Sequence, residues 1–235
     1  MSGESVFAHA LVLRSERLEE ITGSEGVLRA GHRIVKAAES QAWSRKLAEF
    51  RQRRRFPLLS NAMSQYKAPD DQQLRTLADN LGQRLLACGW RLVLAESCTG
   101  GWLAKCLTDV AGSSAWFERG WVSYSNSAKQ DMLGVSATLL ESHGAVSEAV
   151  VTAMARGARR AAGTELALAV SGVAGPDGGS DEKPVGMVCF GLADRNDSQA
   201  WTHYFSGDRE AIRRASVAEG LRGLIESIPQ LEEGS

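Results

Sequence analysis

Three short segments of the chain combine nucleophiles, a candidate base and clustered glycines: A-E-S-C-T-G-G at 95–101, Y-S-N-S-A-K at 124–129 and S-G-V-A-G-P-D-G-G at 171–179. The first carries a hydroxyl, Ser97, beside a thiol, Cys98, followed by Thr99, Gly100 and Gly101. Paired glycines let backbone approach a ligand closely, and a helix opening there offers N–H donors to an oxyanion or a phosphate. A plain strand-to-helix turn capped by Ser97 or Thr99 is the structural alternative. The second segment sets Lys129 five residues after Tyr124, so one helical turn can aim both at one cleft. A lysine is a base only when neutral, and with a reference pKa of about 10.4 roughly one in a few thousand is neutral at pH 7. Lowering that value to ~7–8 requires burial or a neighbouring cation; otherwise Lys129 is a solvated surface residue. In the third segment Gly172, Gly175 and Gly178 mark a long mobile loop able to wrap a phosphate or ribose with backbone donors, or to serve as a plain connection. It is neither a Walker loop nor a dinucleotide fingerprint, since G-K-[ST] and G-x-G-x-x-G are both missing.

Cys98 rivals Ser97, because a thiolate at a helix amino terminus is activated. A Cys-His enzyme would draw on His9, His32, His143 or His203; His143 falls in a predicted loop and His203 within a predicted strand. Consecutive residues at a strand end point to opposite faces, so only one of Ser97 and Cys98 faces a given cleft.

The elements that must position these groups alternate. Leu74, Leu77, Ala78, Leu81, Leu85 and Leu86 have helical spacing, with a start at Pro69-Asp70 and a stop at Gly89. A buried strand follows at 91–95, a helix at 102–110, a second strand at 120–125 and a short helix at 126–133. An Ala-rich helix over 147–162 is capped by Ser147, with Glu148 in its first turn. Strands at 166–171, 185–192 and 200–205 and a closing helix at 209–228 complete the pattern. Alternating strands and helices predict an α/β fold, three layers α/β/α, around a mixed, mostly parallel sheet of about five strands. The last two strands form a hairpin. The three chemical segments then lie beyond the carboxyl ends of strands, where open α/β sheets bind ligands.

Of the 235 residues, 43% are hydrophobic and 23% charged, and the net charge is −1, so no global basic field recruits nucleic acid or anionic lipid. Residues 1–62 differ: they hold 11 Lys+Arg and 7 Asp+Glu. They include Arg51, Arg53, Arg54 and Arg55, and loose helical spacing over 34–50. This stretch reads as a basic extension, disordered or lying upstream of a natural start at Met63, ahead of a domain at 63–235; a partner or nucleic-acid contact for the Arg cluster is the alternative. The four cysteines include no C-x-x-C pair and no Cys/His cluster of zinc spacing, so no structural metal is expected, and free cysteines suit a reducing, cytoplasmic setting. No apolar run reaches the ~20 residues that cross a bilayer, so no membrane association is expected.

The three motifs, in this order, resemble the CinA carboxy-terminal domain family, the nicotinamide-nucleotide amidases, over about residues 72–228. The resemblance implies hydrolysis of the carboxamide of nicotinamide mononucleotide to nicotinate mononucleotide and ammonia, in pyridine-nucleotide salvage. It implies Ser97 as nucleophile, Lys129 as base and Tyr124 as assisting residue. Oxyanion donors would come from the backbone of Cys98, Thr99, Gly100 and Gly101. Phosphate recognition is expected from one of the two glycine loops, 98–101 or 172–178, with no motif choosing between them; Gly172, Gly175 and Gly178 are the candidates in the second. It also implies no cofactor, a small-molecule nucleotide as partner, and an oligomer, commonly a dimer. Two other functions fit the same motifs: a non-catalytic nucleotide-binding or damage-response module, and an amidase for another small amide.

Overall fold

A computed structural model describes residues 68–228. The extension at 1–62 and the helical spacing over 34–50 lie outside the described residues. The first helix, α1 (Asp71–Cys88), begins in a reciprocal cap: the Asp70 carboxylate accepts from Gln73 N at 2.8 Å and the Gln73 side chain accepts from Asp70 N at 2.9 Å. It ends at Gly89, left-handed at φ 63°. Then follow β1 (Leu92–Glu96), α2 (Trp102–Thr108), a single 3₁₀ turn at Ser113–Ala115, and β2 (Phe117–Val122). Next come α3 (Asn126–Leu133), α4 (Ala137–His143) and α5 (Glu148–Ala162), which Ser147 caps. The chain closes with β3 (Leu166–Gly172), the hairpin β4 (Met187–Ala193) and β5 (Ser198–Tyr204), and α6 (Arg209–Ser227).

The sheet runs β2-β1-β3-β4-β5. The β2/β1 and β1/β3 pairs are parallel, β3/β4 and β4/β5 antiparallel. All strands but β4 therefore point one way. This is the expected mixed sheet, and crossover helices cover both faces. Strand alternation decides what lies on each side. Val93 and Ala95 of β1, Ala167 and Ala169 of β3, and Cys189 and Ala193 of β4 face a layer made by α3, α4 and α5. Small side chains there let α5 come close: a Cβ on Gly191 would meet Val151 O at 2.3 Å. The opposite face packs on α1, α2 and α6, where Gly220 of α6 lies against Leu168 and Leu103.

Three expectations need correction. The second strand spans 117–122 rather than 120–125, because its first half carries Glu118 and Arg119 and belongs to a sheet edge with exposed positions, which hides an apolar signal. Residues 137–143 form α4 rather than loop, so His143 ends a helix; seven residues with Leu140 as the one buried side chain give too little periodicity to recognise. The loop after β3, expected to be mobile, is tied down. Val173 N donates to Met187 O (2.9 Å), Gly186 N donates to Val173 O (2.8 Å), and Lys183 Nζ donates to the His143 carbonyl.

Candidate active site

Alternation along β1 sends Leu94 and Glu96 toward α2 and α6, and sends Ala95 and then Ser97 toward the α3–α5 layer. Each side then meets a different partner. Toward α2, the buried Glu96 carboxylate accepts from four donors. These are Thr99 Oγ1 (2.6 Å), Gly101 N (3.0 Å), Leu103 N (3.1 Å) and Ala104 N (2.8 Å). An acidic side chain from the strand thus fills the amino terminus of the helix that follows. The residue had no place in the sequence-based site, although A-E-S placed it one step from Ser97.

Toward α3, Ser97 meets Lys129. Ser125 caps α3, its hydroxyl accepting from Ala128 N at 3.0 Å, and Lys129 sits in the next position, 1% exposed. Its Nζ lies 3.1 Å from Ser97 Oγ, 2.9 Å from Ser123 O and 3.2 Å from Tyr124 O. Burial pushes the Lys129 pKa down, and no carboxylate among the described residues pairs with it. All three partners can accept, so an ammonium would donate to each of them. In the neutral amine the two N–H bonds go to Ser123 O and Tyr124 O, and the lone pair faces Ser97 Oγ, whose O–H can then donate into it. The neutral form has the arrangement of a base poised on a hydroxyl.

The base depends on α3 holding its place. Leu133, at the helix end, is buried in the α5 layer, and Gly157 of α5 passes so close that a Cβ there would lie 1.9 Å from Leu133 O.

Tyr124 touches Lys129 through its backbone carbonyl. Its side chain is 60% exposed, and its hydroxyl accepts from Arg209 Nη2 at 3.3 Å. Cys98 is buried, and burial pushes its thiol up to about 12, which removes it as a thiolate nucleophile near neutral pH. Neither described histidine serves it: His143 ends α4, and His203 lies on the far edge strand, stacked on Phe205 at 4.6 Å. His9 and His32 lie outside the described residues.

The donors expected from Cys98 to Gly101 divide in two. Gly100 N donates to Ser97 O at 3.0 Å and Gly101 N to Glu96, so neither N–H is offered to a ligand. Among the described residues no backbone carbonyl accepts from the N–H of Cys98 or Thr99. Both of their peptide units are pinned from the carbonyl side. Ser97 O takes the Gly100 N–H, and Cys98 O takes Arg213 Nε at 3.1 Å. Arg213 Nη2 also donates to Thr99 O at 2.8 Å, and the guanidinium lies 5.3 Å over the Trp102 ring.

In the second glycine segment, Gly172 ends β3, where a Cβ would collide with Val188 at 2.6 Å, so its lack of a side chain serves strand packing. Gly175 is left-handed at φ 74° and its carbonyl accepts from Arg209 Nη1 at 2.6 Å. Gly178 stands in open space at the loop tip. Arg209 and Arg213, four apart on α6, were missed by the sequence reading, which treated that helix as core packing alone. Their i, i+4 spacing was the available signal.

Comparison with known proteins bears on this geometry. Residues 74–228 match the family model described as the CinA C-terminal domain. The chain is 53% identical over 161 residues to the nicotinamide-nucleotide amidohydrolase PncC of Escherichia coli K12, covering 68% of this chain and 98% of that protein. It is 50% identical over 153 residues to the protein of the same name from Pseudomonas putida, covering 65% and 96%. A crystal structure of a competence-damaged protein (CinA) superfamily member from Klebsiella pneumoniae superposes with a TM-score of 0.64 at 40% identity, over 66% of this chain and 97% of that one. The serine, the buried lysine and their strand-end setting thus stand in a chain that belongs to the CinA C-terminal domain family.

Proposed function

We propose that the protein hydrolyses the carboxamide of nicotinamide mononucleotide to nicotinate mononucleotide and ammonia. The observation that carries this is the buried Lys129 amine, 3.1 Å from Ser97 Oγ with its other two contacts to carbonyls, in a chain that is 53% and 50% identical to named amidohydrolases over 161 and 153 residues. Lys129 takes the Ser97 proton as the oxygen attacks the amide carbon. The oxyanion lies against the N–H groups of Cys98 and Thr99, each such donor contributing roughly 3–4 kcal/mol in comparable sites. The ammonium of Lys129 returns its proton to the departing nitrogen, the C–N bond breaks, and ammonia leaves an acyl-Ser97. Lys129 then takes a proton from water and hydroxide adds to the acyl carbon; the C–O bond to Ser97 breaks as Lys129 returns that proton to Ser97 Oγ, and the acid departs. Tyr124 orients the base through its carbonyl, and Arg213 is a positioning residue for the two oxyanion donors.

The reaction fits a pyridine-nucleotide salvage step in the cytoplasm, the compartment that four free cysteines among the described residues suit. No helix among the described residues is long and apolar enough to cross a membrane. A dimer of the domain at 63–235 is the proposed working form, and gel filtration of a chain begun at Met63 tests it. The experiment for the activity is ammonia release from nicotinamide mononucleotide, free nicotinamide and glutamine by the full chain and by Ser97→Ala. Turnover of the mononucleotide, lost in the variant, is expected. Turnover of glutamine or free nicotinamide instead would move the reading to a different small amide. Turnover of none would favour a binding module.

A further inference from the structure

The N–H groups of Cys98 and Thr99 belong to peptide units whose hydrogen bonds trace back to one cation. Arg213 Nη2 donates to Thr99 O at 2.8 Å. The N–H of that peptide, on Gly100, donates to Ser97 O at 3.0 Å, and across the Ser97 carbonyl lies the Cys98 N–H. Arg213 Nε donates to Cys98 O at 3.1 Å, and across that peptide lies the Thr99 N–H. A carbonyl that accepts a hydrogen bond polarises the N–H of its own peptide, and bonds in a chain reinforce one another. Both donors therefore stand at the ends of chains that begin at the guanidinium.

The same turn carries an opposing charge. The Glu96 carboxylate lies 2.6 Å from Thr99 Oγ1 and 3.0 Å from Gly101 N, and a negative charge there disfavours an oxyanion. Arg213 offsets it only while its own charge is not cancelled. Among the described residues no carboxylate forms an ion pair with Arg213, whereas Arg214, the next residue, is held by Asp71 and Glu210. Both charges act on Cys98: burial raises its thiol most, Glu96 raises it further, and Arg213 works the other way, in favour of an anion.

An aromatic ring stands where a carboxylate would otherwise hold the cation. Trp102, the first residue of α2, has its ring centroid 5.3 Å from the Arg213 guanidinium carbon, and its own N–H donates to Thr99 O at 3.2 Å. The ring is thus anchored to the turn that Arg213 serves. A ring face attracts a cation through its quadrupole and bears no net charge, while a carboxylate would fix the guanidinium and neutralise it together. We infer that Trp102 is a positioning residue for the amide hydrolysis, holding the Arg213 guanidinium against Cys98 O and Thr99 O without cancelling its charge. This rests on the amidase reading of the same site. Arg214 also lies over the ring, at 4.8 Å, but its charge is already met by two carboxylates, so it supplies a control.

The test measures ammonia release from nicotinamide mononucleotide by the full chain and by Trp102→Leu, Trp102→Phe, Arg213→Gln, Arg214→Gln and the Trp102→Leu/Arg213→Gln double variant. Trp102→Leu is expected to lower kcat about 10-fold with KM changed less than about 2-fold, and Trp102→Phe to recover most of the loss. Adding Trp102→Leu to Arg213→Gln should cost less than about 2-fold more, because the two act as one unit. Arg214→Gln should keep its kcat. Multiplying losses in the double variant, equal losses in the Leu and Phe variants, or a loss confined to KM overturns the assignment. Solvent exchange of the Arg213 Nε–H proton, identified in NMR spectra by its loss in Arg213→Gln, needs no turnover. It should be slow in the wild type and in Arg214→Gln, and at least about 10-fold faster in Trp102→Leu. Unchanged exchange in that variant overturns the assignment, as does a wild-type proton that exchanges as fast as that of free arginine, whether or not Trp102→Leu folds. If the wild type releases no ammonia, the amidase reading fails on its own, and the exchange rates still decide whether Trp102 holds Arg213.

Discussion

Lys129→Met keeps the aliphatic stem of the side chain and deletes the amine, which separates the base from the packing around it. A positioned general base contributes about 10²–10⁴-fold, so kcat should fall roughly 1,000-fold while KM, set by groups that touch the substrate, changes little. Stability moves by two opposing amounts. The carbonyls of Ser123 and Tyr124 lose their donor, at about 1–3 kcal/mol each where water stays out. Against this, the variant no longer buries an amine in a site where Lys129 is 1% exposed. The difference depends on pH with a definite sign. Burial lowers the Lys129 pKa below 10.5, so between the lowered value and 10.5 the unfolded chain binds a proton that the folded chain does not. Wild-type stability relative to the variant must therefore rise with pH through that window and level off above it. The same deprotonation gives the ascending limb of kcat/KM. Ammonia release and urea unfolding across the window measure both. A methionine variant with more than about a tenth of wild-type kcat, against the 10²-fold minimum for a general base, would refute the base. A stability difference flat in pH would refute the neutral, buried amine.

Cys98→Ala should retain most of the activity, since burial already holds the thiol up to about 12; a loss as deep as that of Ser97→Ala would reinstate the sulfur as nucleophile. Glu96→Gln places an amide donor among three backbone N–H groups and the Thr99 hydroxyl. It should destabilise the fold by about 3 kcal/mol in urea unfolding, and a change below about 0.5 kcal/mol, the range of an ordinary surface substitution, would contradict its capping role. Gly157→Ala gains helix propensity of about 1 kcal/mol, yet its Cβ would lie 1.9 Å from Leu133 O. The expected net effect is a loss of roughly 2 kcal/mol together with lower kcat, because the displaced helix carries Lys129; a more stable, fully active variant would show that α3 adapts at no cost.

The order of strands and helices was legible from the chain because apolar periodicity is local. Buried runs such as Leu92–Ala95 and the Ala-rich 148–162 carry their own signal, and caps at Asp70, Ser125 and Ser147 act within three residues. The edge strand β2 and the seven-residue α4 escaped because exposed charge and short length erase that periodicity. The pairing of Ser97 with Lys129 was an expectation from motif order and resemblance, and tertiary structure put a distance on it, since 32 residues and a strand crossing separate the two. Other facts had no local trace. Which N–H groups of the 98–101 turn are engaged depends in part on where Glu96 turns. What Cys98 titrates as depends on burial by the whole fold. That α6 sends Arg213 back to carbonyls more than 100 residues earlier, and Arg209 to Tyr124 and Gly175, follows from sheet order. Local sequence sets conformation through sterics and hydrogen bonds among near neighbours; long-range packing alone sets which polar groups lose water and whose charge is left without a partner.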